Sequence, residues 1–419
     1  MILEKQSKKF DSFTTDSYVT INKLLKVLEE QEHFKDELVK LFKIDESTNK
    51  VIQIGNSKSL LDSIFFLDSQ CEKEDIDSKI NKIELKKMLE KEKAVFEIAK
   101  ITNESILKKN KSDLLSVETA YSAKQDILDY YSLSKFANYC RDFEYESLIN
   151  HIKDYLKQMN IDNEDERSLR LVYKKEDKKY YLRAVTSKDV YKNFGINFSV
   201  FVALIALNLY KEKTETNIYI DNYVVNDSEI YVSFSFNNSK NIGDNLILSF
   251  NLILENDEIK RKPVTFNGVF KLTLKDKEKS SDIFLKPKGL KRDEASYPVD
   301  LLTYKHSGSV EKVFEKIKDL PELIDFFIKQ VSEDALKISN IKNTKDVKLH
   351  LANKVKYAKN VEFKKYKESV YNKLMRVTTE NTFTLFEIFR EIEELFDNED
   401  VVSRDYWREK LYESLIEKK

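Results

Sequence analysis

The clearest pattern in the chain is a strict alternation of apolar and polar positions in its middle third. Three segments carry it almost without a break, at residues 230–236, 246–254 and 264–274, and a weaker one covers 218–224. A repeat of apolar residues at every second position is typical of antiparallel strands with one buried face. Because polar clusters rich in turn residues separate the segments, we expect a meander in which Gly268 is the one gap on the apolar face.

Two further features complete the expected sheet domain, which spans residues 168–300. Residues 197–212 are apolar on nearly every side, as in a buried helix, and we expect them to cover the apolar face of the sheet. The weaker strand should place Ile218, Ile220 and Val224 on that same face. A strand pair is expected between residue 168 and the helix.

The regions on either side carry a helical pattern instead. Glycine and proline mark turns, and of the six glycines and four prolines only Gly55 precedes residue 195. Apolar residues recur at helical spacing within 1–160 and within 305–419. Dense alternating charge over 72–112 predicts a solvent-exposed helix or a coiled-coil hairpin, and amphipathic helix continues to residue 158.

These patterns together predict an α+β protein. It has a helical, charged N-terminal region, a central antiparallel sheet with one buried helix, and a helical C-terminal region that packs on the sheet.

Composition narrows the class of protein. The 419 residues carry a net charge of −1 although 35% of them are charged, so no overall attraction to nucleic acid or to an acidic membrane is expected. Cys71 and Cys140 lie too far apart for a metal-binding or disulfide pattern. Because no leader-like segment and no apolar run of about 20 residues is visible, we expect a cytoplasmic protein without membrane contact.

Familiar catalytic patterns are missing from the sequence. It has no glycine-rich phosphate loop, no nucleophile elbow and no histidine pair at zinc-ligand spacing. Glu362 and Lys364, with Asp346 upstream, have the letters of a nuclease hairpin, but their region is predicted to be helical. We therefore expect no catalytic residues, no metal and no cofactor. An enzyme with an unrecognised site is kept as a second alternative.

One segment, residues 337–376, points to a ligand. It holds twelve basic residues against three acidic ones, with four aromatic residues interleaved. Lysines and arginines neutralise phosphates and aromatic rings stack on bases, which favours binding of single-stranded or double-stranded nucleic acid. The candidate contact residues are Lys348, Lys354, Lys356, Lys359, Lys364, Lys365, Lys367, Lys373, Arg376, Tyr357 and Tyr366.

The following segment offers an alternative for this charge. Residues 387–400 carry seven acidic residues against Arg390 alone, so the basic and acidic segments could neutralise each other within the fold. In that case a structural or protein-interaction role is expected. The charged helices over 72–158 would then contact other proteins or a second copy of the chain.

Four stretches are informative from about residue 170 onward: 181–191 (YLRAVTSKDVY), 304–313 (YKHSGSVEKV), 382–389 (TFTLFEIF) and 411–415 (LYESL). In their order and their residues they resemble a phage- and plasmid-borne family of unknown function. The resemblance implies a mobile-element origin, and hence a non-enzymatic accessory protein in the host cytoplasm, with virion assembly or host-factor binding as the rival role. The family has no established catalytic residues that could be carried over to this sequence. The first 165 residues have no counterpart, and Ser249–Glu258 replaces the family's Gly/Ser-rich stretch.

Overall fold

The structure is a computed structural model. It describes residues 2–10, 12, 17–45, 49–90, 93–188, 194–237, 239–242, 245–259, 263–276, 279–287, 291–292, 295–296, 301–306, 308–376, 378–379, 381–396 and 400–416.

The strands are β1 Gln6–Lys9, β2 Val19–Thr20, β3 Val51–Ile52, β4 Ile54–Gly55, β5 Cys71–Lys79, β6 Ile83–Met88, β7 Ala94–Ile98, β8 Leu115–Thr119, β9 Glu166–Lys174, β10 Lys179–Ser187, β11 Ile218–Val225, β12 Glu229–Phe236, β13 Lys240–Asn241, β14 Leu246–Asp257, β15 Val264–Asp276, β16 Lys279–Leu285, β17 Lys291–Arg292, β18 Ala295–Ser296 and β19 Leu302–Tyr304.

The helices are α1 Ile21–Leu25, α2 Glu32–Leu41, α3 Ser57–Gln70, α4 Glu104–Asn110, α5 Ala123–Asp129, α6 Ser134–Asp142, α7 Glu146–Asn160, α8 Ile196–Thr214, α9 Val310–Lys318, α10 Leu320–Ser339, α11 Thr344–Lys356, α12 Lys367–Arg376, α13 Thr382–Glu393 and α14 Val401–Ile416. Short 3-10 turns cover Lys26–Gln31, Ile80–Lys82 and Glu362–Lys365.

The larger sheet confirms the predicted meander. Its strands run in the order β1-β11-β12-β14-β15-β16, with β4, β13 and β19 paired at its margins, and neighbours along the main path are antiparallel. The even-numbered apolar positions of β12, β14 and β15 point into the main core, where Leu252 and Phe266 are fully buried. The α+β class predicted from the sequence is therefore confirmed.

The buried helix is also confirmed, and a second helix joins it on the apolar face of the sheet. All but a few positions of α8 are buried in the main core. The gap at Gly268 is filled by α10, because a Cβ built on Gly268 would overlap the ring of Phe327. The Phe327 ring also lies 5.1 Å from that of Phe250. This glycine thus admits a helix of the C-terminal region to the sheet.

A β-bulge in β11 changes which residues face the core. The register shifts between Ile220 and Asn222, so Asp221 is the extra residue. Beyond the bulge, Tyr223 and Val225 face the main core and Val224 points to the opposite face. The expectation that Val224 shares a face with Ile218 and Ile220 is therefore wrong.

We call the side of the sheet opposite α8 the outer face. A small apolar cluster of Val224, Tyr231, Ile253 and Val269 lies on it, and Val401 at the start of α14 packs against this cluster. The later part of α14 reaches the main core through Trp407, Leu411 and Leu415. Helices therefore pack on both faces of the sheet, rather than on its apolar face alone.

The prediction of a helix or coiled-coil hairpin over 72–112 is wrong. This part of the chain forms strands β5, β6 and β7 and only the short helix α4, and a second sheet follows the order β5-β9-β10-β8-β7-β6. The predicted strand pair is present as β9 and β10. Helices α5, α6 and α7 cover one face of this sheet and close a separate hydrophobic core. The alternation of apolar and polar residues in β6 and β7 covers only six and five residues. Because charged residues are dense around these short segments, the alternation was not recognised in the sequence.

The chain makes its N-terminal turns without glycine, which explains the error. Residues other than glycine take the left-handed conformation that normally favours glycine. Among the described residues they are Lys43, Asn56, Lys100, Lys111, Tyr121, Ser132, Glu144, Lys178 and Glu215. Rarity of glycine in this sequence is therefore no guide to long helices.

A buried ion cluster joins the two sheets. Glu258, just after β14, accepts from Arg183 of β10 at 2.8 Å, from Lys73 of β5 at 3.0 Å and from the backbone N–H of Ile196 at 2.8 Å. Burial alone would raise the pKa of Glu258, but the positive charges of Lys73, Arg183 and Arg170 hold it well below its ordinary value. The carboxylate thus ties the second sheet to the start of α8 and to the first sheet.

No helix in the described part of the chain combines the length and apolar character needed to cross a membrane.

We predict that Gly268→Ala lowers the free energy of unfolding by about 1–3 kcal/mol, because the added methyl group overpacks the Phe327 ring. Urea denaturation measures the change. In a Phe327→Leu background the same substitution should cost clearly less. Equal costs in both backgrounds would show that Phe327 is not the group that Gly268 accommodates.

Candidate functional site

The basic segment 337–376 is divided among α11, a 3-10 turn and α12, and part of its charge is used inside the fold. Lys348 is buried. Three other candidate residues form ion pairs with carboxylates of the C-terminal region: Lys354 with Glu413 at 3.1 Å, Lys365 with Asp400 at 2.7 Å and Lys373 with Glu391 at 2.7 Å. The positive charges of these three lysines are therefore neutralised by carboxylates within the fold.

A smaller exposed group remains where α11 leads to α12. We call Lys356, Tyr357, Lys359 and Lys364 the basic tip. All four are exposed, and Tyr357 is 72% exposed. None of the three lysines forms an ion pair with a described residue, and the Lys356 ammonium lies 5.7 Å from the centre of the Tyr357 ring. The tip therefore offers free positive charge beside an open aromatic face.

The other candidates lie apart from the tip or are partly buried. Lys367 is half-buried, and the ring of Tyr366 packs edge-on against Phe396 at 4.9 Å. Arg376 is exposed at the far end of α12. That end lies near the start of α11, because the Thr344 hydroxyl donates to the backbone carbonyl of Thr379 at 3.4 Å. The structure therefore does not bring the eleven predicted residues onto one surface.

A cavity lies away from the basic tip, between the outer face of the sheet and the helices α13 and α14. Its volume is about 530 Å³, which is within the range of small-molecule sites. We call it the outer-face cleft. Its lining residues are Ser7, Lys8, Lys9, Asp221, Asn222, Tyr223, Val224, Ser233, Asn251, Ile253, Val269, Asp282, Phe284, Arg390, Glu393, Glu394, Phe396, Arg404 and Arg408.

The sheet side of the cleft is polar because of alternation and the bulge. Ser233 of β12 and Asn251 of β14 occupy outer-face positions between apolar core positions. The Asn251 amide donates to the Asp221 carboxylate at 3.0 Å and to the Ser233 hydroxyl at 3.2 Å. As the extra residue of the bulge, Asp221 is turned toward this polar group.

The helix side is held in place by buried ion pairs. Arg408 of α14 donates from Nε and Nη2 to the Glu393 carboxylate of α13, at 2.9 and 2.5 Å. The Arg408 guanidinium lies 4.7 Å from the centre of the Phe284 ring on β16. Lys286, next to β16, binds Asp405 of α14 at 2.8 Å. These contacts fix both helices against the outer face.

Arg404 lies one helical turn before Arg408 and is bound differently. It is only 8% exposed, yet its Nε and Nη2 are buried without a hydrogen-bond partner among the described residues. Its guanidinium lies 5.6 Å from the centre of the Tyr231 ring. A buried N–H without a partner costs free energy. Nε and Nη2 of Arg183 share this feature, so what distinguishes Arg404 is its position at the wall of the cleft.

The unengaged charge in the cleft is positive. Burial raises the pKa of Asp221, although the Ser233 hydroxyl, Arg408 and Arg404 act in the opposite direction. Asp282 is bound by Lys271 at 2.9 Å, and Glu393 is bound by Arg408. Lys8 and Lys9 form no ion pair with a described residue, so with Arg404 they leave the cleft attractive to an anion.

This arrangement suits binding more than acid–base chemistry. Asp221, Asp282 and Glu393 each have a carboxylate oxygen bound by a neighbouring donor or cation. Oδ1 of Asp221 and Oε2 of Glu393 are buried without a partner among the described residues. In the described part of the chain, no group of three or more His, Cys, Asp or Glu side chains could hold a metal ion.

The cleft arginines were missed by the sequence analysis, although a signal was present. Only ten of the 72 basic residues are arginine, and two of them, Arg404 and Arg408, stand four residues apart. Arginine is favoured over lysine at buried ion pairs and at anion sites, because its planar group binds carboxylates and phosphates through two hydrogen bonds. In a lysine-rich chain, an arginine pair at helical spacing is therefore a stronger indication of an anion site than the density of lysine.

Comparison of the chain with protein-family models, with curated proteins and with solved structures gave no match in any of the three.

We predict opposite stability effects for the two cleft arginines. Arg408→Met should lower the free energy of unfolding by about 3–5 kcal/mol, because it leaves Glu393 and Asp405 buried without this partner. Arg404→Met should leave it unchanged or raise it by about 1 kcal/mol, because buried unpaired N–H groups are removed. Chemical denaturation of both variants measures the contrast. A loss above about 2 kcal/mol from Arg404→Met would mean that this guanidinium is bound within the fold.

Proposed function

We propose that the protein is a binding protein for a small organic anion, which the outer-face cleft holds through Arg404. The observation that carries this proposal is the buried Arg404 guanidinium with two unpartnered N–H groups at the wall of a cavity of about 530 Å³. A guanidinium fork binds a carboxylate or a phosphate through two parallel hydrogen bonds. Such a ligand would satisfy both nitrogens at once.

The rest of the cleft suggests what kind of molecule carries the anionic group. Ser233 and Asn251 supply hydroxyl and amide groups, and Ile253, Val269 and Phe284 supply apolar walls. A site of this kind suits an organic molecule with one anionic end, hydrogen-bonding groups and an apolar part. A mononucleotide or a carboxylate of similar size meets this description.

The proposal describes a non-enzymatic protein, such as an accessory protein of a phage or plasmid acting in the host cytoplasm. Its support is the resemblance of 181–191, 304–313 and 382–389 to the phage- and plasmid-borne family, together with cleft carboxylates that are bound to neighbours. In this setting the cleft would sense or retain a metabolite or nucleotide.

We predict that calorimetric titration with mononucleotides, di- and tricarboxylates, inorganic phosphate and sulfate detects binding of at least one of these anions. Arg404→Met should weaken that binding about 10–100-fold, as expected for loss of a charged hydrogen-bonding partner. Arg376→Met, which removes an exposed arginine outside the cleft, is the matched control and should leave the affinity unchanged. If no anion binds, or if both variants lose affinity equally, the proposal fails.

The same site should give a defined pH dependence. The raised pKa of Asp221 means that this carboxyl group takes up a proton in the folded protein at a higher pH than a free aspartate. Protonation removes a negative charge from the cleft, so the affinity for sulfate, which stays fully ionised while this carboxyl group titrates, should rise as the pH falls. Asp221→Asn should flatten this dependence. An unchanged pH profile in that variant would exclude Asp221 as its source.

Binding of nucleic acid at the basic tip is a second candidate function. It rests on the exposed Tyr357 ring and on three lysines without ion pairs to described residues. A ring that is open on one face can stack on an unpaired base, and the lysines can bind the flanking phosphates. This candidate favours single strands over duplex.

For this second candidate, reversal of Lys356, Lys359 and Lys364 to Glu should abolish binding to single-stranded DNA and RNA. Tyr357→Ala should weaken single-strand binding more than duplex binding. The matched control reverses three exposed lysines elsewhere, Lys40, Lys58 and Lys213. Fluorescence anisotropy over a salt series is the measurement, and the salt slope should fall by about one for each phosphate that is no longer neutralised. Equal reductions in affinity for both triple variants would contradict a specific role for the tip.

A further inference from the structure

The second sheet carries an exposed apolar surface on the helices α6 and α7. Its main side chains are between 43% and 58% exposed. We call them the aromatic ridge, and they are Phe136, Tyr139, Phe143, Tyr145, Tyr155 and Met159. Surface apolar residues are common singly, but a group of this size marks an interaction site.

Four members of the ridge form one connected stripe, and the other two, Tyr155 and Met159, lie four residues apart on α7. Phe136, Tyr139 and Phe143 follow at three and four residues on α6 and its end, so they share one side of the helix. The rings of Tyr139 and Phe143 are 4.7 Å apart, and Tyr145 at the start of α7 lies 6.0 Å from each of them. Tyr145 thus joins the stripe on α6 to α7.

The ridge is not needed for the core of its own chain. The opposite sides of the same helices fill the second hydrophobic core with Ala137, Cys140, Ile152 and Leu156. The described part of the chain places no element over the ridge, since its side chains keep about half of their surface exposed.

We propose that a second copy of this chain covers the ridge in a symmetric dimer. An aromatic side chain can bury about 150–250 Å², so six half-exposed large side chains offer roughly 500–600 Å². Their neighbours on the rim bring this toward the ~800 Å² per partner of a standard interface. The ridge and its rim are therefore of the size that a dimer interface needs.

The charges around the ridge favour a second copy over a strongly charged partner. Residues 134–161 carry four basic and four acidic residues, interspersed along both helices. In a symmetric interface each patch meets itself in the opposite direction, so a patch with both signs can pair its own positive and negative groups. A neutral aromatic surface of this kind offers no attraction to phosphates.

This inference is independent of the outer-face cleft, which lies on the other sheet. The experiment is sedimentation velocity of the full chain over a range of protein concentrations. The wild type should sediment as a dimer, and Phe143→Glu should weaken dimerisation at least about tenfold, because a charge replaces a central aromatic side chain. Phe66→Glu, at a side chain that is 51% exposed on α3, is the matched control and should dimerise like the wild type.

Two results would overturn the inference: a wild-type chain that stays monomeric at the highest concentration, or a dimer that Phe143→Glu leaves intact. Circular dichroism confirms that each variant is folded. Hydrogen exchange adds a readout without mutation, because amides within 134–160 should be more protected at high than at low protein concentration. Protection that does not change with concentration while a dimer is present would place the interface elsewhere.

Discussion

The outer face of the larger sheet is covered through buried ion pairs rather than apolar packing alone, and the proposed site depends on this constraint. Arg408 holds Glu393, and Lys286 holds Asp405. Buried charges of this kind are stabilising only when their partners are present and hydrogen-bonded. They therefore fix α13 and α14 in one position over a polar sheet surface. The cleft is the space that remains where the helices and the sheet do not meet.

Arg404 differs from the arginines of the two buried charge clusters in having no ion pair with a described carboxylate, although Nε and Nη2 of Arg183 also lack a hydrogen-bond partner among the described residues. Around Glu258, three cations surround one carboxylate, and this cluster joins the sheets. Around Asp405, Lys286 and Arg408 supply the partners. Arg404 is as deeply buried as Arg408, but its Nε and Nη2 lack a hydrogen-bond partner among the described residues. In the proposed function, a ligand would supply acceptors to both nitrogens and so offset this cost.

The sequence predicted the parts of the fold in which one pattern runs over many residues. The alternation in β12, β14 and β15 located the sheet and its core face, and the apolar stretch around 197–212 located α8. The gap at Gly268 was visible, although its cause, the Phe327 ring of a helix about 60 residues later, was not. Strands β6 to β8 were missed because each covers only five or six residues, and β5 because most of its residues are charged. In addition, residues such as Lys100 and Lys111 make the turns in place of glycine.

The site was hidden for a different reason. The density of lysine led to the prediction of a nucleic-acid site within 337–376, but four of the candidate residues are buried or bound to carboxylates in the fold. The cleft depends on a one-residue bulge at Asp221 and on helices that approach the outer face from a distant part of the chain. Neither follows from local periodicity. Only the spacing of Arg404 and Arg408 can be read from the sequence. It becomes informative when the structure shows that both residues line the cleft beside β11, β12 and β14.

The most direct test of the central claim is an experimental structure of the protein crystallised with the anion that binds best in titration. The account predicts that two oxygens of that anion lie within hydrogen-bond distance, about 2.7–3.2 Å, of Nε and Nη2 of Arg404. Finding both nitrogens occupied by a carboxylate or carbonyl of the chain itself, with the anion bound elsewhere, would contradict it.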